Sequence, residues 1–357
     1  MGTVIHCIRA GKYGTKSRHV LATAIVLIAI FATGCSSGKN EDDLSSLIED
    51  SRNDLLPVLD MNTEESIEYD KALLEEPSNQ FELSIFNAED NSVVPGGAVC
   101  FNDNIIVTDK AGDRLVVIDW NNNVIKMIGG TGNAPGEFIN PTGIAQYDNS
   151  IYVIDSGNQR VQIFDKLLNY VEEISVLSDE NASDTYENIA IANDGSIYLC
   201  GNSLINRHID KWSDGKCSHI GKNFYGSLYS KDGQVYSVNR GNICVDPKTE
   251  AISVMRGSNY LFKIEDDELV PVCELPKGLV INSFVIEDDT LICTSNNLER
   301  IYAFDLEGTL KESIANLKDY DGYLGVRTYI TMNDDGSLLL SDGENGRLFY
   351  IIKNHDK

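Results

Sequence analysis

The sequence predicts an all-β fold built from repeated four-stranded antiparallel blades, the architecture of a β-propeller, and three observations lead to it. Two segments, Pro95 to Val99 and Pro141 to Ala145, open copies of a repeat that lie 46 residues apart. The second copy contains four short apolar runs separated by turn-forming Asp, Asn, Ser and Gly residues. Six such copies can be counted between residues 81 and 357. Four short strands in about 46 residues fit one blade of a propeller.

The first 34 residues have the layout of a secretory signal peptide. They contain four basic residues and no acid, and a largely apolar run extends from Val20 to Phe31. This run of twelve residues is shorter than the about 20 needed to cross the hydrocarbon core of a bilayer. A membrane-spanning anchor is therefore the weaker interpretation.

The small residues before Cys35 resemble the lipobox of bacterial lipoproteins, in which the cysteine receives a diacylglyceryl group and becomes the new N-terminus. Ala32 stands where that pattern usually has leucine, so ordinary signal-peptidase cleavage stays open as an alternative. The resemblance implies that the mature protein begins at Cys35, is exported, and is held on a membrane of the bacterial cell envelope by its lipid. Acidic residues soon after Cys35 also resemble a cell-surface signal, and the membrane leaflet stays open.

Residues 36–80 are predicted to be an acidic, flexible tether. They carry thirteen acidic residues against three basic ones, with few aromatics and no strand-like alternation. A random coil of about 45 residues has an end-to-end distance of roughly 35 to 40 Å. The body, residues 81–357, can therefore stand clear of the lipid headgroups.

Loss of the signal peptide makes the mature chain more acidic. The four basic residues that leave reduce the 29 Lys and Arg residues to 25, while all 55 Asp and Glu residues remain. Such a surface repels the phosphate backbone, and nucleic-acid binding needs a basic footprint. Nucleic acid is therefore excluded as a partner.

Six cysteines remain in the body once Cys7 leaves with the signal peptide and Cys35 carries lipid. Most of them lie in apolar runs typical of strands, where a free thiol packs as a small hydrophobic group. We expect mostly free thiols, with disulfides as the alternative in an exported chain. The six are Cys100, Cys200, Cys217, Cys244, Cys273 and Cys293.

The blade that contains Pro141 resembles an NHL repeat. The resemblance rests on a Gly-rich segment at 129–138, the segment Pro141 to Ala145, and the segment Ile151 to Asp165 with its Asp-Ser-Gly-Asn-Gln-Arg turn. It implies a closed six-bladed ring and a scaffold-like role. Blade four departs most from the pattern, because an insertion from Cys244 to Ser258 precedes its third strand.

An acid and an arginine recur at a spacing of five residues across the predicted hairpin turns, and blades three and five keep the arginine alone. We interpret these residues as contacts that fix the hairpins; a ring of ligand-binding charges is the alternative. The residues are Asp109 and Arg114, Asp155 and Arg160, Arg207, Arg300, and Asp342 and Arg347.

Closure of the ring needs one more strand, because the sixth copy ends at Lys357 just after its third strand. The segment Phe81 to Phe86 is strand-like and precedes the first copy. We predict that it takes the outer position of the last blade. It would then close the ring and cover two sheet edges that would otherwise be exposed.

No catalytic residue, metal ligand or cofactor is assigned from the sequence. Some NHL-like propellers are amidating lyases with several metal-binding histidines in the channel, and His208 and His219 are too few to rebuild that site. We expect them to be ordinary strand or surface residues. The Gly-x-Ser-x-Gly motif of serine hydrolases does not occur. Calcium held by carboxylates stays an alternative, although no EF-hand-like spacing is present.

The sequence favours a non-catalytic binding protein over an enzyme. Arg240 and Arg256, near the insertion of blade four, are the candidate binding residues, because loops that break a repeat tend to lie on a functional face. The expected partner is a protein, peptide or glycan. The alternative is a metal-dependent lyase, or a lactone or ester hydrolase, built on the propeller channel. Carboxylates and asparagines converging on the channel would support that alternative, and apolar and hydroxyl groups would count against it.

Overall fold

The computed structural model describes the body of the chain and a short segment before it. The predicted signal peptide, Cys35 and most of the predicted tether lie outside the described residues. None of the described helices is long and apolar enough to cross a membrane. The described residues are 71–77, 81–87, 93–176, 186–201, 208–221, 226–239, 243–245, 252–254, 259–276, 279–318, 324–325 and 327–354.

Six four-stranded antiparallel sheets form the body, which confirms the predicted fold. In chain order the strands are β1 (Phe81–Asn87), β2 (Pro95–Phe101), β3 (Asn104–Asp109), β4 (Arg114–Ile118), β5 (Val124–Gly129), β6 (Pro141–Tyr147), β7 (Ser150–Asp155), β8 (Arg160–Phe164), β9 (Tyr170–Ser175), β10 (Tyr186–Ile191), β11 (Ile197–Gly201), β12 (Ile209–Ser213), β13 (Lys216–Ile220), β14 (Gly226–Lys231), β15 (Gln234–Asn239), β16 (Ile243–Val245), β17 (Ile252–Val254), β18 (Asn259–Glu265), β19 (Glu268–Leu275), β20 (Ile281–Glu287), β21 (Thr290–Ser295), β22 (Arg300–Asp305), β23 (Leu310–Asn316), β24 (Thr328–Met332), β25 (Leu338–Asp342) and β26 (Arg347–Lys353).

Blades one, two, three and five each use four consecutive strands, beginning with β2, β6, β10 and β20. Blade four uses β14, β15, β18 and β19, and its insertion contributes a separate hairpin of β16 and β17. The first strands of neighbouring blades contact one another around the ring, and β2 also contacts β24 of blade six. The ring is therefore closed.

The N-terminal strand completes the last blade, as predicted from the missing fourth strand. Strand β1 pairs antiparallel with β26 over its whole length, from Phe81 opposite Lys353 to Asn87 opposite Arg347. The sheet order is β1-β26-β25-β24, so β1 holds the outer position. The first and last segments of the body thus share one sheet.

The second strand of each blade is buried on both faces because each blade packs between two others. In β3, Ile105 and Val107 pack in a cluster shared with blade six, whereas Ile106 packs in a cluster shared with blade two. Apolar residues on both alternating sets are expected for a strand that is covered on both sides.

Tight hairpin turns use acidic and amide residues in the left-handed conformation. Asn102 and Asp103 have φ values of 49° and 60°, and Asp266 and Asp267 have 50° and 62°. Two consecutive residues with positive φ are typical of type I′ turns, which favour Asn, Asp and Gly. Turn geometry therefore accounts for Asn and Asp at these positions.

The segment 71–77 lies against blade five. A 3-10 helix spans Lys71–Leu74, and the Leu73 side chain is fully buried among apolar residues of that blade. The Tyr302 hydroxyl donates a hydrogen bond to the carbonyl oxygen of Leu73 at 2.7 Å. The end of the segment that we predicted to be a flexible tether therefore packs on the propeller.

Arg300 contributes to the same contact and does not form the hairpin pair found in other blades. Ser295 stands opposite it, where blade two has an aspartate. The guanidinium instead donates to the carbonyl oxygens of Leu74 and Glu75. Without a carboxylate across the turn, the arginine is available to hold the N-terminal segment.

Five cysteines fall within the described side chains, and all five are free thiols, which confirms the expectation for that part of the chain. They are Cys100, Cys200, Cys217, Cys273 and Cys293. The side chain of Cys244 lies outside the described residues.

Candidate binding site

A cavity of about 720 Å³ occupies the channel at the centre of the ring. It is lined by the innermost strands of all six blades, which are β2, β6, β10, β14, β20 and β24. Ligand pockets usually measure about 300 to 1,000 Å³ and have a few polar groups that fix the orientation of the ligand. The channel therefore has the size of a small-molecule, sugar or peptide site.

Amide and hydroxyl groups of neighbouring blades meet in the wall of the channel. The Asn188 side-chain oxygen accepts a hydrogen bond from the Leu228 N–H at 3.0 Å, which joins blades three and four. The Thr331 hydroxyl accepts one from the Cys100 N–H at 3.3 Å, which joins blades six and one. Ser227, Ser283 and the half-buried Tyr229 also line the cavity. These parts of the wall offer neutral hydrogen-bonding groups.

Blades three and six, which lie opposite each other, make contact across the channel. The Tyr329 hydroxyl of blade six donates to the carbonyl oxygen of Glu187 at 2.9 Å. Arg327, just before β24, places its Nε 3.1 Å from Oε1 of the same glutamate. The Glu187 side chain is only 8% exposed. One end of the channel is therefore bridged by a hydrogen bond and by an ion pair whose glutamate is buried and whose arginine side chain is 40% exposed.

Lys110 lies close to this bridge. Burial lowers the pKa of Lys110, and the positive charge of Arg327 lowers it further, whereas Glu187 and Glu344 act in the opposite direction. Two cations and two carboxylates thus gather near one end of the channel. Their charges are formally balanced, in contrast to the acidic chain as a whole.

At the other mouth, neighbouring blades are joined by further polar contacts. The Lys231 ammonium of blade four donates to the Glu287 carboxylate of blade five at 2.9 Å. The Tyr147 hydroxyl of blade two donates to the carbonyl oxygen of Asn193 in blade three at 3.0 Å. Gln146 and Asn333 line this mouth too and are at least partly exposed.

Two titratable groups of the channel wall stay neutral at physiological pH. Burial raises the pKa of the Cys100 thiol to about 12 and that of the Tyr229 hydroxyl to about 12. A nucleophilic cysteine needs a lowered pKa, and a general base works best with a pKa near the operating pH. Neither side chain is prepared for such a role.

The three predicted Asp–Arg pairs are ion pairs at the hairpins between the second and third strands. Their nitrogen–oxygen distances are 2.8, 2.8 and 2.7 Å, and all three carboxylates are fully buried. They lie outside the residues that line the channel. The pairs are Asp109 with Arg114, Asp155 with Arg160, and Asp342 with Arg347.

Arg160 of blade two also binds the Gly-rich segment that precedes the blade. Its guanidinium contacts the Asp155 carboxylate at 2.8 Å and the Glu173 carboxylate at 2.6 Å, and donates to three main-chain carbonyls. Those carbonyls belong to Asn133, Ala134 and Glu137. The pair therefore connects the hairpin to the loop between blades one and two.

Blade three has a different polar cluster near the hairpin where blades one, two and six have the Asp–Arg pair. His208 Nε2 and His219 Nδ1 lie 2.8 and 2.6 Å from Oδ1 of Asp210, which is only 1% exposed, and the Tyr186 hydroxyl donates to Oδ2. Burial acts to raise the pKa of Asp210, but hydrogen bonds from His208, Tyr186 and His219 outweigh it and lower the pKa. Sequence reasoning treated both histidines as ordinary. The signal that could have found them is the absence of the Asp–Arg pair from this blade.

Several residues singled out from the sequence cannot be placed in this site. Arg207, Arg240 and Arg256 lie outside the described residues, as does Cys35. The channel residues Glu187 and Tyr329, and Arg327 beside them, were not predicted, because no local motif marks them.

Several solved structures share the fold of this chain at low sequence identity. A streptogramin B lyase structure matches with a TM-score of 0.53 and 13% identity, covering 78% of this chain and 100% of that chain. A catalytically inactive virginiamycin B lyase from Staphylococcus aureus with quinupristin matches at 0.52 and 11%, covering 77% and 100%. A gluconolactonase from Xanthomonas campestris matches at 0.51 and 15%, covering 79% and 93%. At these identities the likeness concerns the fold alone.

No curated protein matches the sequence. A family model described as "6-bladed beta-propeller" matches residues 89–278, from just before β2 to beyond β19. The matched region is more than half of the 357 residues and covers blades one to four. The chain therefore belongs to the DUF5128 family of six-bladed β-propellers.

Proposed function

We propose that the protein is an exported lipoprotein, held on the cell envelope by a lipid at Cys35, whose NHL-like propeller binds a protein, peptide or glycan without catalysing a reaction. The main support for a binding function is the channel of about 720 Å³ with amide and hydroxyl groups in its wall. A cavity with few but well-placed polar groups is the usual form of a ligand site.

Among the three partner classes, the chemistry of the channel favours a neutral glycan or a short peptide segment. Glu187 is paired with Arg327 and Lys231 with Glu287. Asp148, Asp232 and Asp334 also line the cavity, so its charge is negative and disfavours anionic ligands. Tyr147, Tyr229 and Tyr329 line the channel and supply flat apolar surfaces beside hydroxyl groups. Sugars and peptides offer matching hydroxyl and amide groups.

The second candidate is a metal-dependent lyase, or a lactone or ester hydrolase. It is favoured by the shared fold of the lyases and the gluconolactonase described above. The neutral state of Cys100 and Tyr229 and the paired state of Glu187 count against a nucleophile or base at these three positions.

The binding proposal is tested with the ectodomain from Ser36 to Lys357 against panels of neutral oligosaccharides and envelope-derived peptides, by calorimetry. Each lost neutral hydrogen bond is worth about 0.5–1.5 kcal/mol, so Gln146→Ala and Asn333→Ala should each weaken binding about three- to tenfold. Lys216→Ala and Glu172→Ala, on the outer strands, should leave affinity unchanged. Binding that ignores the channel variants would contradict the proposal, and ligand turnover that is lost on chelation would establish the enzyme instead.

The anchoring proposal is tested separately by Cys35→Ser. Two or three acyl chains, at about 0.8 kcal/mol per buried CH₂, hold a protein on a bilayer almost permanently. We expect the wild-type protein in the membrane fraction and the variant in the soluble exported fraction, by fractionation and immunoblot. Equal membrane retention of both would rule out lipidation at Cys35.

A further inference from the structure

The polar cluster of blade three can be compared with blade two position by position. Ile209 pairs with Cys200 as Val161 pairs with Ile154, which sets the register of the third strands. His208 therefore stands where Arg160 stands, and Asp210 stands where Gln162 stands. The assignment of Arg207 to this position from the sequence was wrong by one residue. His219 pairs with Asp210 as Glu173 pairs with Gln162.

Several neighbouring side chains at this hairpin differ together between blades two and three. In blade two, a guanidinium lies between the carboxylates of Asp155 and Glu173. In blade three, His208 replaces the arginine and His219 replaces the glutamate. The buried carboxylate is that of Asp210, on the third strand. Gly201 occupies the position of Asp155. The permanent positive charge of blade two is thus absent from this set of positions.

The replacement places three metal-ligating atoms together. One nitrogen of His208, one of His219 and a carboxylate oxygen of Asp210 all lie within 4.8 Å of one another, and the imidazole centroids are 4.1 Å apart. Buried carboxylates are normally paired with a cation or coordinate a metal, because an isolated buried charge is costly. The histidine side chains are 20% and 35% exposed, so a cation can reach the cluster from solvent.

We propose that His208, Asp210 and His219 form a binding site for Zn²⁺ or a similar divalent transition metal, which performs in blade three the clamping role of the Asp–Arg pair. Two imidazoles and one carboxylate are a ligand set that zinc accepts, whereas Ca²⁺ and Mg²⁺ prefer sites made of oxygen. The Tyr186 hydroxyl holds the second carboxylate oxygen and so orients Asp210, as groups behind metal ligands commonly do. The site lies outside the residues that line the channel, so it does not depend on the proposed binding function.

The test uses the purified full-length protein in detergent, first treated with chelator and then titrated with ZnCl₂ by calorimetry. We expect one Zn²⁺ per chain and a higher melting temperature with zinc. His208→Gln and His219→Gln should abolish binding and the rise in melting temperature. Tyr186→Phe should weaken binding about 10- to 100-fold while keeping the stoichiometry, because the groups behind metal ligands have effects of that size. His355→Ala, which removes another histidine of the body, is the matched control and should bind like wild type.

Cobalt substitution distinguishes this site from zinc held by the free thiols. Co²⁺ bound to His208, His219 and Asp210 should give visible d–d absorption without the near-ultraviolet charge-transfer band of cobalt thiolates. Circular dichroism of the zinc-free variants checks that they remain folded. A wild-type protein that binds no zinc, or a His208→Gln/His219→Gln double variant that retains it, would overturn the proposal.

Discussion

A chain that lacks residues 1–87 should associate with other copies of itself and lose much of its stability. The deletion removes β1 and leaves the whole of β26 as an exposed edge, a template for pairing with other chains. It also uncovers the apolar cluster against which Phe81, Leu83 and Ile85 are packed. Half-burial of three such side chains contributes about 2–4 kcal/mol, a large share of the about 5–15 kcal/mol that stabilises a typical domain.

Size-exclusion chromatography with light scattering and denaturant unfolding measure both effects. The control is a chain that begins at Gln80, which also lacks the segment 71–77 but keeps β1; it should keep the oligomeric state of the full-length protein. A synthetic peptide of residues 78–90 should prevent the added association of the shorter chain by supplying the missing strand. If the chain without residues 1–87 unfolds at the same denaturant concentration as the control, pairing of β1 with β26 does not stabilise the ring.

Asp155→Ala should destabilise the propeller by about 3–5 kcal/mol, the usual effect of breaking a buried ion pair. The substitution leaves Arg160 without its buried partner and removes the acceptor of the Ile139 N–H and of the Asn158 and Gln162 amides. For a domain of this size the melting temperature should fall by roughly 10 °C. Scanning calorimetry measures the change.

A matched control distinguishes the buried pair from surface ion pairs. Lys263 and Glu265 are 2.6 Å apart with side chains 35% and 47% exposed, and Lys263→Ala should change stability by less than about 1 kcal/mol. Arg160→Lys should keep the charge yet still lose stability, because an ammonium cannot reproduce the planar set of donors that reaches two carboxylates and three carbonyls. Equal effects of Asp155→Ala and Lys263→Ala would mean that the buried pair adds nothing to the blade.

The repeat could be predicted because its signals are local. Alternation of apolar residues and turns such as Asn102–Asp103 depend on residues a few positions apart, and they mark each hairpin independently of the others. The outer position of β1 could be predicted by counting strands in the last blade. Local patterns did not predict the partners of Arg300. This residue occupies the repeated arginine position, but the carbonyl groups that it binds lie 225 and 226 residues away in the N-terminal segment.

By itself, therefore, the sequence determined the strands, their turns and the number of blades, since each blade is a local antiparallel unit whose pattern repeats along the chain. Only the tertiary structure decided which blades meet across the channel and what chemistry they share there. Tyr329 and Glu187 are 142 residues apart and touch because the ring closes. His208 immediately precedes β12, Asp210 lies in β12 and His219 lies in β13, and the register of this one hairpin brings the three side chains together. Ring closure is a property of the whole folded chain, and no short stretch of sequence contains it.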